Sequence, residues 1–245
     1  PRGPREQLAF ARKAPTTAAP MVEKALFEYH MYTLPRPSTV ADNEIKQLEM
    51  FTPIREFKVD KKFLYCPLSG YRWYGGYNVN QSYGVTSVKK VQVFIEFQNS
   101  KENHEKLGLP LPAGKVRVYK QDPADKALEF IGEERIDHTP KNEKLSLQIG
   151  NAFDLVGERK QKAFSSNVNA HWIKESIEIR IRNHKKDEDV VVRVKEPIYR
   201  CRNWKITKES HERNEKDADA QTAIWDLPVK VDGETVLTYS IEYTW

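Results

Sequence analysis

Long apolar runs are missing from this sequence. No stretch approaches the roughly 18 apolar residues that a membrane-spanning helix requires, and the longest runs are strand-length, such as Val190-Val191-Val192. Cysteine is scarce too: Cys66 and Cys201 are the only two and fit no CxxC pattern, which argues against a zinc site. They leave two readings open. One is a disulfide in an oxidising compartment, closing a loop worth on the order of 4–5 kcal/mol; the other is a pair of separate buried thiols. The six histidines never occur as HxH or HExxH, so metal-ligand spacing is lacking and no metal or cofactor is expected.

Catalytic punctuation is equally sparse. There is no GxSxG elbow and no GxxxxGK loop, and no helix follows Gly75-Gly76, so neither a nucleophile setting nor a phosphate cradle is legible. Asp137-His138-Thr139-Pro140 could suggest half of a catalytic pair. Without a nucleophile it reads as a turn, in which Asp and Thr side chains bond backbone groups and proline sets the bend. The excess of 40 basic over 35 acidic residues gives a net charge of +5. That is too dilute to predict nucleic-acid binding.

What the sequence does contain is alternation. Val91, Val93, Ile95 and Phe97 share one side of the clearest strand, with Lys90, Gln92, Phe94 and Glu96 opposite. Val116 and Val118 alternate with Arg117 and Tyr119, and Leu237, Tyr239, Ile241, Tyr243 and Trp245 alternate to the last residue. Further strand patterns fall at Ala25–Leu34, Glu44–Phe51, Lys62–Pro67, Leu128–Ile136, Leu145–Ile149, Leu155–Phe164, Trp204–Lys208 and Thr222–Pro228. Such period-2 segments between turn residues read as strands. Asn103–Leu107 is the one stretch that could form a helical turn.

Glu175–Arg182 and Asp189–Lys195 read as a hairpin around Asn183–Glu188, with Ile177, Ile179, Ile181, Val190, Val192 and Val194 inward. The expected architecture is all-β: an antiparallel immunoglobulin-like β-sandwich with additional N-terminal strands. Residues 1–20 read as a linker or tail, 21–84 as an N-terminal β segment with an aromatic-rich loop, and 85–245 as the sandwich domain. Trp245 is expected in the core.

Two surface features carry binding chemistry. Tyr71, Trp73, Tyr74 and Tyr77 lie in a loop with Asn78, Asn80, Gln81 and Ser82. Flat rings beside amide side chains can stack on sugars and bond their hydroxyls; equally, the rings can pack inward. Alternation about Gly75-Gly76 sends Tyr71 and Trp73 to one face and Tyr74 to the other, so a split between buried and exposed rings is expected. The second feature is a basic stripe of Arg180, Arg182, Arg193 and Lys195 on the outward face of the expected hairpin, able to meet an anionic surface. Glu175, Glu178 and Glu196 dilute it, so cross-strand pairing on a solvated face is the plainer reading.

One resemblance adds to this. Leu109–Tyr119 (LPLPAGKVRVY), Phe130–Pro140 (FIGEERIDHTP), Gly150–Asp154, Gly157-Glu158-Arg159, Arg182–Lys185 and the Leu237–Trp245 strand carry it. On these the chain resembles a bacterial family of exported proteins with a C-terminal domain of unknown function, related to the C-terminal part of mucoidy-inhibitor-like proteins. The resemblance spans roughly Ala25 to Trp245 and transfers no functional residue. It implies an extracytoplasmic, β-rich protein, periplasmic, outer-membrane associated or secreted, with an N-terminal half preceding this chain. Together these readings predict a non-catalytic module that binds a partner protein or envelope component or scaffolds an assembly. A carbohydrate-binding module using Tyr71–Tyr83 is the alternative, and a hydrolase completed by the preceding half is a third reading.

Overall fold

Alternation of apolar and polar residues becomes strand at most of the expected positions, but Glu44–Lys46 and Phe51, the described ends of the expected Glu44–Phe51 strand, are irregular. A computed structural model describes residues 21–34, 37–46, 51 and 53–245, and these contain strands and turns with no helix. The expected helical turn at Asn103–Leu107 is a pair of tight turns, in which the Asn103 and His104 N–H groups donate to the Ser100 carbonyl at 3.1 and 3.2 Å. Pro1–Pro20, expected as a tail, and residues 47–50 of the expected Glu44–Phe51 strand lie outside the described residues.

The N-terminal pattern is split by a turn into β1 (Val22–Leu26) and β2 (Tyr29–Thr33), an isolated antiparallel ribbon. Phe27 turns between them with φ of 56°. The chain then runs through β3 (Asp60–Tyr65), β4 (Lys90–Gln98), β5 (Gly114–Gln121), β6 (Leu128–Ile136), β7 (Lys144–Asn167), β8 (Trp172–Asn183), β9 (Val190–Pro197), β10 (Asn203–Glu209), β11 (Thr222–Val229) and β12 (Gly233–Thr244). β5 and β6 form a second ribbon that rests on β7. At Gly132 a Cβ would sit 2.6 Å from the Ile149 carbonyl oxygen, so only glycine lets the ribbon approach.

The remaining eight strands form one sheet in the order β10-β12-β8-β7-β4-β3-β9-β11. It corrects two expectations. The sheet is mixed, because β3 runs parallel to β9, with Phe63 opposite Val192. And β8 and β9 are not a hairpin: β8 pairs with β7 and β12, while β9 pairs with β3 and β11. Both strands have inward apolar faces, but the Asn183–Glu188 connection carries the chain to a distant position in the sheet. β3, from the expected N-terminal segment, is an integral strand of this sheet.

The sheet doubles over on its apolar face. Register shifts in β4, β7 and β10 bend it, and the β11 end comes to lie against β12. Trp225 stacks on Tyr239 with ring centroids 5.0 Å apart, and Thr235 Oγ1 donates to the Pro228 carbonyl at 2.6 Å. No ladder joins β11 to β12, so the sheet is not closed. Pro228 has no N–H to offer at this edge, which suits a strand that stays unpaired there. The enclosed core holds Ile173, Ile177, Ile179, Ile181, Val190, Val192, Val194, Trp225, Leu237, Ile241 and Tyr243, all at 5% exposure or less. Trp245, expected in the core, is half-buried against its rim.

Candidate functional site

Four charged side chains lie inside this core. On β7 the inward parity of Leu155 and Gly157 continues to Arg159; on β8 Glu175 sits between Ile173 and Ile177 on the inward face; on β9 the inward parity of Val190, Val192 and Val194 ends at Glu196. Arg200, in the turn after β9, is the fourth. All four are essentially excluded from solvent. Isolated buried charges would be very costly, so their partners decide what they do.

The Arg159 Nε donates to Glu196 Oε1 at 2.7 Å, and the Tyr239 hydroxyl donates to the same oxygen at 2.8 Å. Arg159 Nη1 donates to the Gly84 carbonyl at 2.9 Å. Burial pushes the Glu196 carboxyl above the usual range, against the pull of Arg159 and Tyr239. In the second pair, Arg200 Nε lies 2.9 Å from Glu175 Oε2, off the line of a good hydrogen bond, so the contact is chiefly ionic. Gln161 Nε2 donates to the other Glu175 oxygen at 2.7 Å. Arg200 Nη1 donates to the carbonyls of Asn78 and Asn80 at 3.0 and 2.8 Å, and Nη2 to that of Tyr83 at 2.8 Å. Its guanidinium carbon sits 4.9 Å from the Phe164 ring centre and 5.3 Å from that of Tyr199.

The outcome is a strap. Asn78–Gly84 presents four carbonyls to two buried guanidinium groups, each neutralised by a glutamate behind it. A planar five-donor guanidinium can make such a set of contacts; a lysine cannot. Gly84 (φ 77°) is required at the end of the strap, because a Cβ would lie 2.4 Å from the Tyr199 hydroxyl. Asx turns hold the rest: Asn78 Oδ1 accepts the Asn80 N–H at 3.0 Å and Asn80 Oδ1 accepts the Ser82 N–H at 2.9 Å.

The strap continues the aromatic loop, whose four rings are divided between half-buried and exposed, with none fully buried. Tyr71 is half-buried, edge-on to Tyr83 at 5.2 Å and to Tyr199 at 5.7 Å. Trp73 is half-buried and donates its Nε1 hydrogen to the Gly76 carbonyl at 2.9 Å, closing the turn that Gly75 (φ 109°) and Gly76 (φ 65°) permit. Tyr74 is 73% exposed, with the Arg72 guanidinium 4.9 Å above its ring. Tyr77 is 47% exposed and stacks face-to-face on Trp245 at 4.1 Å, while His171 meets Trp245 edge-on at 5.9 Å. Tyr71 and Trp73 anchor the loop; Tyr74 and Tyr77 face solvent.

The basic stripe is dispersed by topology. β7, β4 and β3 separate Arg180 and Arg182 on β8 from Arg193 and Lys195 on β9. Arg180 pairs with Glu178 and Glu234, both at 2.9 Å; Arg182 with Glu158 at 3.3 Å; Arg193 with Asp226 at 2.7 Å and Asp217 at 2.8 Å. Lys195 is exposed. Of the diluting glutamates, only Glu178 faces outward; Glu175 and Glu196 are the interior acids. At Asp137–Pro140 the Thr139 hydroxyl donates to the Asp137 carbonyl at 2.8 Å and His138 Nδ1 accepts the Ala113 N–H at 3.2 Å, as in a turn. Cys66 and Cys201 are separate thiols; Cys201 Sγ lies 3.1 Å from the Thr244 carbonyl, and burial pushes the Cys66 thiol up. Among the described residues, no three His, Cys, Asp or Glu are placed to hold a metal ion, and no helix is long and apolar enough to cross a membrane.

Comparison with family models, curated proteins and solved structures returns no match to this chain. The interior quartet was missed by sequence reasoning, although three of its members carried a signal. Arg159, Glu175 and Glu196 continue the inward parity of apolar strand positions. Arg200 lies outside any strand pattern and had none.

Proposed function

We propose that this chain is a non-catalytic, extracytoplasmic β module that binds a partner protein or an envelope component through the loop Tyr71–Gly84. The observation that carries the reading is the strap: the buried arginines direct four hydrogen bonds to the carbonyls of residues 78, 80, 83 and 84. Buried charge that holds a surface loop in place serves presentation. An acid or base at work would instead need access to a substrate. The immunoglobulin-like sandwich belongs to the same proposal, supported by β7, β8 and β12 facing β9 and β11 across one filled core.

A carbohydrate ligand is the second reading, favoured by Tyr74 and Tyr77 standing open while Tyr71 and Trp73 anchor the loop. The test is retention of envelope components from extracts by the wild-type chain and by the Tyr74→Ala/Tyr77→Ala double variant. Loss of specific retention with an unchanged melting temperature is expected. Identical retention by the two proteins would remove the loop from the binding face.

A further inference from the structure

Acidic residues are absent from the sequence around the exposed rings. Between Asp60 and Glu96 there is no Asp or Glu, but there are Lys61, Lys62, Arg72, Lys89 and Lys90. A second acid-free run, Pro197–Lys208, holds Arg200, Arg202, Lys205 and Lys208. Acid-free runs also occur elsewhere, as at Lys106–Gln121 and Arg159–Lys174, whereas acids and bases alternate closely on β8 and β9. The first two runs meet in the structure, where the Asn78 N–H donates to the Arg200 carbonyl at 3.0 Å.

The charges at this junction differ in kind. Arg200 is buried and neutralised by Glu175. Arg72 and Arg202 are exposed, and neither forms an ion pair among the described residues. Glu242 on β12 lies opposite Lys205 in the register and pairs with Lys174 at 3.3 Å. Trp245, one residue beyond the Asn203–Thr244 pair, brings Tyr77 to the Arg202 side of the sheet. Stacking of Arg72 over Tyr74 leaves the guanidinium edge, with its forked N–H donors, open to solvent. Asn78 and Asn80 use their Oδ1 atoms in turns, so their Nδ2 donors are the free ends.

Two open aromatic faces, free amide donors and two uncompensated guanidinium groups make one recognition chemistry. Rings stack on the apolar faces of sugars, amides bond hydroxyls, and the planar fork of arginine fits a carboxylate. We infer that this face binds an acidic polysaccharide, with Tyr74 and Tyr77 against sugar rings and Arg72 and Arg202 pairing with carboxylates along the polymer. The inference rests on the binding-module reading and names its ligand class. The strap makes it workable: a loop fixed from within loses little conformational freedom when a polymer settles on it.

The experiment is affinity electrophoresis and calorimetry of the full chain with polygalacturonate and with the same polymer fully methyl-esterified. Binding to polygalacturonate is expected, with a loss of tenfold or more on esterification. Arg72→Gln, Arg202→Gln and Tyr77→Ala should each weaken binding by about three- to tenfold with an unchanged melting temperature. Equal affinity for the esterified polymer overturns the acidic class and leaves the aromatic platform standing. Binding to phosphatidylglycerol vesicles that matches polygalacturonate and ignores Tyr77→Ala overturns it in favour of a charged membrane surface. No binding to either polymer also overturns it. The binding-module reading is judged separately, by retention of envelope components in the double tyrosine variant.

Discussion

The inner and outer faces of the same strands treat charge in opposite ways. On β8, Glu175 faces the core and Glu178, Arg180 and Arg182 face water; on β9, Glu196 faces the core and Arg193 and Lys195 face water. Outside, the ion pairs are exposed cross-strand contacts of the kind that contribute at most about 1 kcal/mol each. Inside, every charge is desolvated, and removing one partner strands the other in the core. Glutamates only three positions apart on β8, Glu175 and Glu178, are therefore essential on one face and marginal on the other.

The largest effect that this contrast predicts is at Glu196. Glu196→Ala leaves Arg159 buried without its counter-ion and should cost ~3–5 kcal/mol in urea denaturation. Arg180→Ala on the outer face should leave the denaturation midpoint close to that of the wild type, because its ion pairs are screened by solvent. Similar losses in the two variants would erase the distinction.

The strap allows a finer cut. Arg200→Lys keeps the charge beside Glu175 but cannot reach the carbonyls of Asn78, Asn80 and Tyr83 together. Hydrogen exchange of residues 78–84 should rise about tenfold or more, while the amides of β8 and β12 hold. Uniform acceleration across the sheet would instead mark Arg200 as a general core residue.

Alkali probes the interior phenols. Burial, with Glu175 adding to it, pushes the Tyr199 hydroxyl up to about 12, and burial drives Tyr239 and Tyr243 well above 10. Raised folded values mean stability that is whole below the unfolded phenol value near 10 and is lost as pH rises through the folded values. The phenolates of these interior tyrosines should therefore form only as the protein unfolds. Phenolate absorbance from them before unfolding would contradict their burial.

The smallest effect is at the surface. Hydrogen bonding from Arg193 holds the Asp226 carboxyl below its usual range. Its contribution is present above the unfolded value near 4 and is lost as pH falls through the lower folded value. Because the pair is about a third exposed, solvent screening limits this to ~1 kcal/mol or less. Asp226→Asn should flatten the acid limb of the stability profile by that amount, and an unchanged limb would show the pair to be inert.

Much of the strand content was legible without coordinates. Val91 and Ile95 in β4, Ile177, Ile179 and Ile181 in β8, and Leu237, Tyr239, Ile241 and Tyr243 in β12 are buried as their alternation predicts. The aromatic loop divides on the same parity about Gly75-Gly76, with Tyr71 and Trp73 half-buried and Tyr74 exposed, though no ring is fully buried. Where parity was broken by a charge, the reading went astray: Glu175 and Glu196 were counted among the surface charges on the strength of residue type. Parity alone placed them inside.

Alternation is thus what the sequence by itself determined, because a pleated backbone sends successive side chains to opposite faces whatever lies beside it. It specified an all-β chain, the faces that seek a core, and a loop with rings on two sides. Which strands pair was decided only in three dimensions. The step from β8 to β9 looks like a hairpin locally, yet three strands separate them in the sheet, because pairing depends on distant segments with faces of equal apolarity. The strap was decided there too. A guanidinium can replace its hydration only with acceptors brought to it, and the carbonyls that Arg200 holds come from residues more than a hundred positions earlier in the chain.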